Sequence, residues 1–179
     1  MPTPTQTYSS NPIAITSQVV IPLSAGVRIE AANAVIYDAE RLIRLNPLVQ
    51  ECEQLPLETE NENLSDWRKQ GRYRIVDKLL ILGGMISTNT EYYATFTIQE
   101  ADTNNKTAGI VFYVQGPMGV STTSRWTVTE RESDQAIVIT EACLLRVPFL
   151  LRSFVVGNIK SSHMSLLDRI AKQLCGSSI

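Results

Sequence analysis

At 179 residues, 44% hydrophobic and 19% charged, the chain has the size and composition of one domain with a substantial core. Its formal net charge of −2 lacks the basic excess that nucleic acid or an anionic membrane rewards, so neither is expected as a main partner. Three scattered cysteines (Cys52, Cys143, Cys175) form no C-x-x-C pair. The single histidine, His163, completes no zinc spacing with them, so no metal or other cofactor is expected.

The N-terminal residues 1–12 are Pro, Thr, Ser and Gln with no basic or apolar segment, and read as a loose tail ahead of one domain over 13–179. No apolar run approaches the roughly 20 residues that span a bilayer. The expectation is a cytoplasmic protein with reduced thiols and no stable membrane insertion, with room for a homodimer.

The run AITSQVVIP, from Ala14 to Pro22, is rich in β-branched residues and predicts a first strand. Ser24 is then a candidate N-cap for an Ala-rich helix over 25–37, with Val27, Ala31, Ala34 and Val35 on one face. Asp38 can cap a second short helix, AERLIRL, which Asn46-Pro47 stops, because the residue before a proline is pushed out of helical geometry. LVQECEQL, residues 48–55, reads as a second strand. The acidic interval 56–70 reads as an exposed loop, without the ligand spacing of an EF-hand.

From Arg72 the period changes to two. RYRIVDKLLIL sets Tyr73, Ile75, Asp77 and Leu79 on one face. Gly83-Gly84 supplies a turn into STNTEYYATFTIQEA, where Tyr92, Ala94, Phe96 and Ile98 face one way and Glu91, Tyr93, Thr95 and Thr97 the other. Further turns at residues 102–105, Gly116-Pro117 and Ser133-Asp134 separate AGIVFYVQG, VSTTSRWTVTERE and AIVITEACLLRV. Five consecutive strands on short turns make an antiparallel meander.

The chain ends on its longest element. From Pro148 to Leu174, Val155, Ile159, His163, Leu166, Ile170 and Leu174 recur at steps of three and four, predicting a helix of roughly 40 Å with one apolar stripe. The stripe is loose: a rotation by one residue brings Ser162 inward and moves His163 to the rim. Gly176 is the expected C′ residue, with Arg169 and Lys172 toward the negative end of the helix dipole. The fold class is therefore α+β, a seven-stranded curved antiparallel sheet wrapped around one long C-terminal helix, with two short helices after strand 1.

This order of elements resembles the START-like superfamily, whose helix-grip fold occurs in lipid-transfer domains, pollen-allergen proteins and aromatic polyketide cyclases. The residues that carry the resemblance are ITSQVVIPLSAGVRIEAANAVIYDAERLIRLNPLV at the start and RWTVTERESDQAIVITEACLLRV with LLDRIAKQL at the end. LIRLNPLV in particular resembles an uncharacterised fungal branch of that superfamily. The resemblance covers nearly the whole chain after residue 12 and implies a deep cavity for a hydrophobic small molecule. It carries over no nucleophile or metal motif.

Three residues are candidates for chemistry. His163 on the helix stripe suits proton transfer near neutral pH, and reads equally as a partly buried side chain with one hydrogen bond. Asp77 interrupts an apolar face, where desolvation raises a carboxyl pKa, unless a twist or bulge returns it to solvent. Tyr92 offers a phenol to a ligand oxygen. Tyr73, Phe96, Phe112, Trp126, Ile159 and Leu166 are expected to wall the cavity. Glu141 joins them if Ile137 and Ile139 mark the inner face of the last strand; Val138, Ala142 and Leu144 make the opposite face equally apolar. The greasy stretch 144–157 reads as buried hinge packing or as a cavity mouth, and Gly157 as a kink or a close approach to the sheet. Two functions follow. One is a cofactor-independent cyclase, dehydratase or isomerase of secondary metabolism, with His163, Asp77 and Tyr92 moving protons. The other is a non-catalytic carrier of a lipid, sterol or similar metabolite.

Overall fold

The computed structural model describes residues 11–56, 70–81, 86–99 and 108–176. The acidic interval after Pro56, most of the N-terminal tail, and the turns at Gly83-Gly84 and residues 102–105 lie outside them.

Seven strands form one antiparallel sheet: β1 (Ile13–Pro22), β2 (Val49–Leu55), β3 (Gln70–Ile81), β4 (Ile86–Gln99), β5 (Gly109–Gln115), β6 (Ser121–Arg131) and β7 (Ala136–Arg146). Their spatial order is β1-β7-β6-β5-β4-β3-β2. The meander therefore occupies the middle, while the two N-terminal strands take opposite edges. The connection between those edges is a helix pair, α1 (Ile29–Ile36) and α2 (Ala39–Leu45), which must cross from one side of the sheet to the other. The long helix α3 (Arg152–Leu174) packs against β1, α1 and α2. The seven predicted strands and three helices are all present.

Local chemistry explains most boundaries. The Asp38 carboxylate accepts the Arg41 amide at 3.0 Å and opens α2. Arg44, in the last turn of α2, donates from Nε to Glu40 and from Nη2 to the carbonyl of Cys52, both at 2.8 Å, tying α2 to β2. Gly176 has φ +71 and its amide returns to the Gln173 carbonyl, the expected end of α3. Gly71 faces Phe96 across the β3–β4 ladder, where a Cβ would stand 2.2 Å from the ring. Only glycine lets that aromatic lie flat over the strand.

Several expectations need correction. Residues Leu23–Ala25 form a separate 3₁₀ turn that ends on Gly26 at φ +74, so α1 starts at Ile29 and Ser24 caps nothing. The buried face of α1 is Ala32, Val35 and Ile36, whereas Ala31 and Ala34 are exposed. Four residues lost from the helix start shift which positions meet the sheet. Pro148 precedes a 3₁₀ turn, Phe149–Leu151, and α3 proper begins at Arg152; its 23 residues span about 34 Å. A Cβ on Gly157 would meet nothing within 4 Å, so this glycine marks no close approach.

The core is not evenly spread along α3. Leu166, Leu167 and Ile170, at most 5% exposed, join Ile21, Val35, Ile36, Leu42, Ile137 and Ile139 in the main cluster. Val155 and Ile159, in the first half of the helix, are only partly buried and lean on a smaller cluster of Ile15, Cys143, Leu145 and Val147. Packing is dense under the C-terminal half of α3 and sparse under the N-terminal half.

Candidate functional site

Where the packing is sparse there is a cavity of about 490 Å³ between the concave face of the sheet and α3. Its walls are mostly apolar: Ile75, Ala94, Phe112, Val114 and Trp126 from the sheet, Leu42 and Ile43 from α2, Val155, Ile159 and Leu166 from α3. Met118 and Phe154 border it while remaining 65% and 40% exposed, so they mark where it opens. Phe149 and Leu150 beside that opening are more exposed still. Of the stretch 144–157, Leu151, Phe154 and Val155 line the cavity, while Leu145 and Val147 are buried.

Two polar pairs interrupt the apolar lining. In the first, the Tyr92 hydroxyl on β4 donates to Asp77 Oδ2 on β3 at 2.9 Å. Asp77 is 7% exposed and its other oxygen has no partner among the described residues. Desolvation is the larger influence on this carboxyl and the phenol donor the smaller, opposing one; together they raise its pKa from 3.8 to about 6. Burial, with the neighbouring carboxylate, holds the Tyr92 phenol well above its ordinary value, so it stays a donor. A bulge does occur here, but on the neighbouring strand: the β2–β3 register slips between Val49 and Glu51, opposite Asp77 and Val76. Ile75, Val76 and Asp77 are buried in succession beside this bulge. Asp77 is not returned to solvent.

In the second pair, Glu141 Oε2 on β7 lies 2.6 Å from His163 Nδ1 on α3. The atoms are in contact without the alignment of a hydrogen bond, and Glu141 Oε1 has no partner among the described residues. Glu141 is 1% exposed, which resolves the two-faced pattern of β7: Ile137, Ile139, Glu141, Cys143 and Leu145 point inward, Ala142 and Leu144 outward. His163 and Ser162 both reach the cavity, so the helix stripe is wide enough to present the two side by side.

Of the ten residues expected at the site, His163, Asp77, Tyr92, Phe112, Trp126, Glu141, Ile159 and Leu166 line this cavity. Tyr73 and Phe96 do not. Their rings stack at 6.0 Å in the packed core, and Tyr73 is 5% exposed. They share the inward face of their strands but sit further along them, beyond the void. Ser124, Thr90, Thr122, Asn46 and Asn158, none of them expected at the site, also line the cavity. Ser124 was accessible to pattern reading, being in phase with Trp126 and Val128 on β6. Asn46 looked like a helix stop only, and its Oδ1 does accept the Leu48 amide at 3.1 Å.

Burial pushes the Cys143 thiol up to about 12 and also raises that of Cys52, which makes neither a ready nucleophile. Among the described residues no group of three or more His, Cys, Asp or Glu side chains is placed to hold a metal ion. No described helix is long and apolar enough to cross a membrane.

A family model described as a domain of unknown function, DUF7053, matches residues 13–175. The chain belongs to that family. No curated protein matches it. Among solved structures, the DUF7053 chain is similar to the Zhui aromatase/cyclase from Streptomyces sp. R1128, at 10% identity and TM-score 0.61 over 91% of this chain and 93% of that one. It is also similar to the di-domain ARO/CYC StfQ from the steffimycin biosynthetic pathway, at 12% identity and TM-score 0.65. That match covers 93% of this chain and 51% of the di-domain protein. Truncated norcoclaurine synthase from Thalictrum flavum matches at 14% identity and TM-score 0.55, over 93% and 96% of the two chains. These likenesses show that the chain has the helix-grip fold.

Proposed function

We propose that this protein binds a hydrophobic small molecule in the cavity under α3 and acts on it as a cofactor-independent enzyme of the cyclase, dehydratase or isomerase type. The observation that carries this reading is the Asp77–Tyr92 pair, a buried carboxyl with a pKa of about 6 held by a phenol inside a largely apolar chamber. A carboxyl in that range exists in both forms near neutral pH, the condition for general acid–base work. In the reaction Asp77 takes a proton from a carbon next to a ligand carbonyl, and the Tyr92 hydroxyl turns its hydrogen bond to the oxygen that gains charge. The proton is returned to another carbon in an isomerisation. In a dehydration, His163 protonates the departing hydroxyl, which leaves as water. The walls contribute orientation, as the apolar cavity restricts how a flexible substrate folds.

The cyclase and synthase activities named for Zhui, StfQ and norcoclaurine synthase support a role in small-molecule metabolism for the same fold. The kinship of LIRLNPLV with a fungal branch, a place in secondary metabolism and a cytoplasmic location belong to this proposal. The mainly apolar lining and the exposed rim favour a second reading, a carrier that holds its metabolite without chemistry.

Native mass spectrometry of protein purified from its own organism, followed by organic extraction, separates the two. The expected result is a bound metabolite that fresh protein converts, with Asp77→Asn and His163→Ala each slowing the conversion at least about a hundredfold. Recovery of an unaltered lipid or sterol, unchanged on re-incubation, refutes the enzyme and establishes the carrier.

A further inference from the structure

The end of the molecule where the cavity opens carries large apolar side chains standing in solvent. Phe149 and Leu150, in the 3₁₀ turn before α3, are 72% and 93% exposed. Phe154, in the first turn of α3, and Met118, in the turn between β5 and β6, border the opening itself. Ser121 pairs with Gln115 on one side and with Arg146 on the other, so the β5–β6 turn and the β7–α3 junction leave the same end of the sheet. Met118 holds φ +57, a left-handed conformation that is unfavourable for a methionine. Backbone strain that keeps an apolar side chain in water points to a use for it there.

Charge at this end departs from the balance of the whole chain. Arg146 and Arg152 flank the exposed pair, and both are exposed and without an ion pair among the described residues. Lys160 is exposed further along α3. No aspartate or glutamate occurs between Glu141 and Asp168, or between Asp102 and Glu130. The first turn of α3 therefore holds no acid, and the positive end of the helix dipole adds to the same field. A protein partner would need a pocket for each side chain that stands this far out. The boundary of a bilayer takes phenylalanine, leucine and methionine wherever they enter it, and sets phosphate oxygens beside the flanking guanidinium groups. We propose that this end of the molecule docks reversibly on an anionic lipid surface, with Phe149 and Leu150 entering the acyl boundary and Arg146 and Arg152 on the headgroups. The net charge of −2 gives the whole chain no general attraction to such a surface, so the attraction is local and orients the cavity mouth toward lipid. The docking does not depend on what the cavity holds, so its failure would leave the cavity-binding reading standing.

Co-flotation of the full chain with vesicles tests this, using phosphatidylcholine alone and phosphatidylcholine with about 30% phosphatidylserine. Binding to the anionic vesicles is expected to be at least about tenfold tighter than to the neutral ones, and to weaken as salt rises from about 0.1 to about 0.5 M. Phe149→Ser combined with Leu150→Ser should lose at least about tenfold in affinity. Arg146→Gln combined with Arg152→Gln should lose at least about tenfold on the anionic vesicles only. Met164→Ser, at an exposed apolar residue further along α3, should change nothing. Thermal melts that match the wild type show that each variant is folded. The proposal is overturned if the anionic vesicles do not carry the protein, if they bind it no better than the neutral ones, or if Met164→Ser costs as much as the apolar pair. A concentration-dependent dimer that the Phe149 and Leu150 changes dissolve, without flotation, would overturn it too and assign the face to a second copy.

Discussion

Replacing Asp77 by Asn should make the protein more stable above neutral pH and leave it unchanged in acid. The folded-state pKa of Asp77 is raised from 3.8 to about 6 because burial disfavours the charged form. The native state therefore binds this proton more tightly than the unfolded chain does. Stability from this group is fully present below about 4 and is lost as pH rises through about 6. At about 1.36 kcal/mol per pKa unit, the ionised carboxylate costs the fold up to about 3 kcal/mol at pH 8. Local relaxation reduces this, so a gain of about 1–3 kcal/mol is expected from an uncharged isostere that still accepts the Tyr92 hydrogen bond. In a domain of this size that is a rise in Tm of roughly 3–8 °C. Thermal melts followed by circular dichroism, for both proteins from pH 4 to 8.5, give the difference curve in which other titrating groups cancel. It should be small at pH 4, rise with a midpoint of about 5, halfway between the unfolded and folded values, and level off just above 6. A flat difference, or an Asn variant less stable at pH 8, would refute the assignment of Asp77 as a desolvated carboxyl.

Four further outcomes can be checked with the same melts. Tyr92→Phe removes the donor that opposes the desolvation of Asp77, so the Asp77 difference curve, measured in that background, should level off at a higher pH and reach a larger plateau. Gly71→Ala places a methyl 2.2 Å from Phe96 Cε1 and should cost about 1–3 kcal/mol, with most of it recovered in the Phe96→Leu background. Ile170→Ala, at a fully buried position, should cost about 2–5 kcal/mol. Phe149→Ser on the exposed rim should stay within about 0.5 kcal/mol. Equal losses at Ile170 and Phe149 would contradict the division into packed core and open rim.

The order and type of elements were legible because they rest on near-neighbour chemistry. A period of two set Tyr92, Ala94, Phe96 and Ile98 on one face of β4. The residues of α2, from the Asp38 cap to the Asn46-Pro47 stop, could be read off directly, since capping and proline geometry act within four positions. The start of α1 was not legible, because whether Leu23–Ala25 closes as a 3₁₀ turn depends on the Leu23 amide finding the Gln135 carbonyl across the sheet.

The candidate site shows the same division more sharply. Alternation told which face Tyr73, Phe96, Phe112 and Trp126 occupy, but not how far along the strand the void lies; two of the four proved to be packed core. In β7 both faces are apolar, since Ile137, Val138 and Ile139 are all buried, so only tertiary packing could turn Glu141 inward. By itself the sequence determined an α+β chain of seven strands and a long amphipathic helix, because hydrogen-bonding period and capping are local. The tertiary structure alone decided that Asp77 meets Tyr92 and that Glu141 meets His163. Those meetings depend on register, sheet curvature and the rotation of α3, each of which is a sum over contacts between residues far apart in the chain.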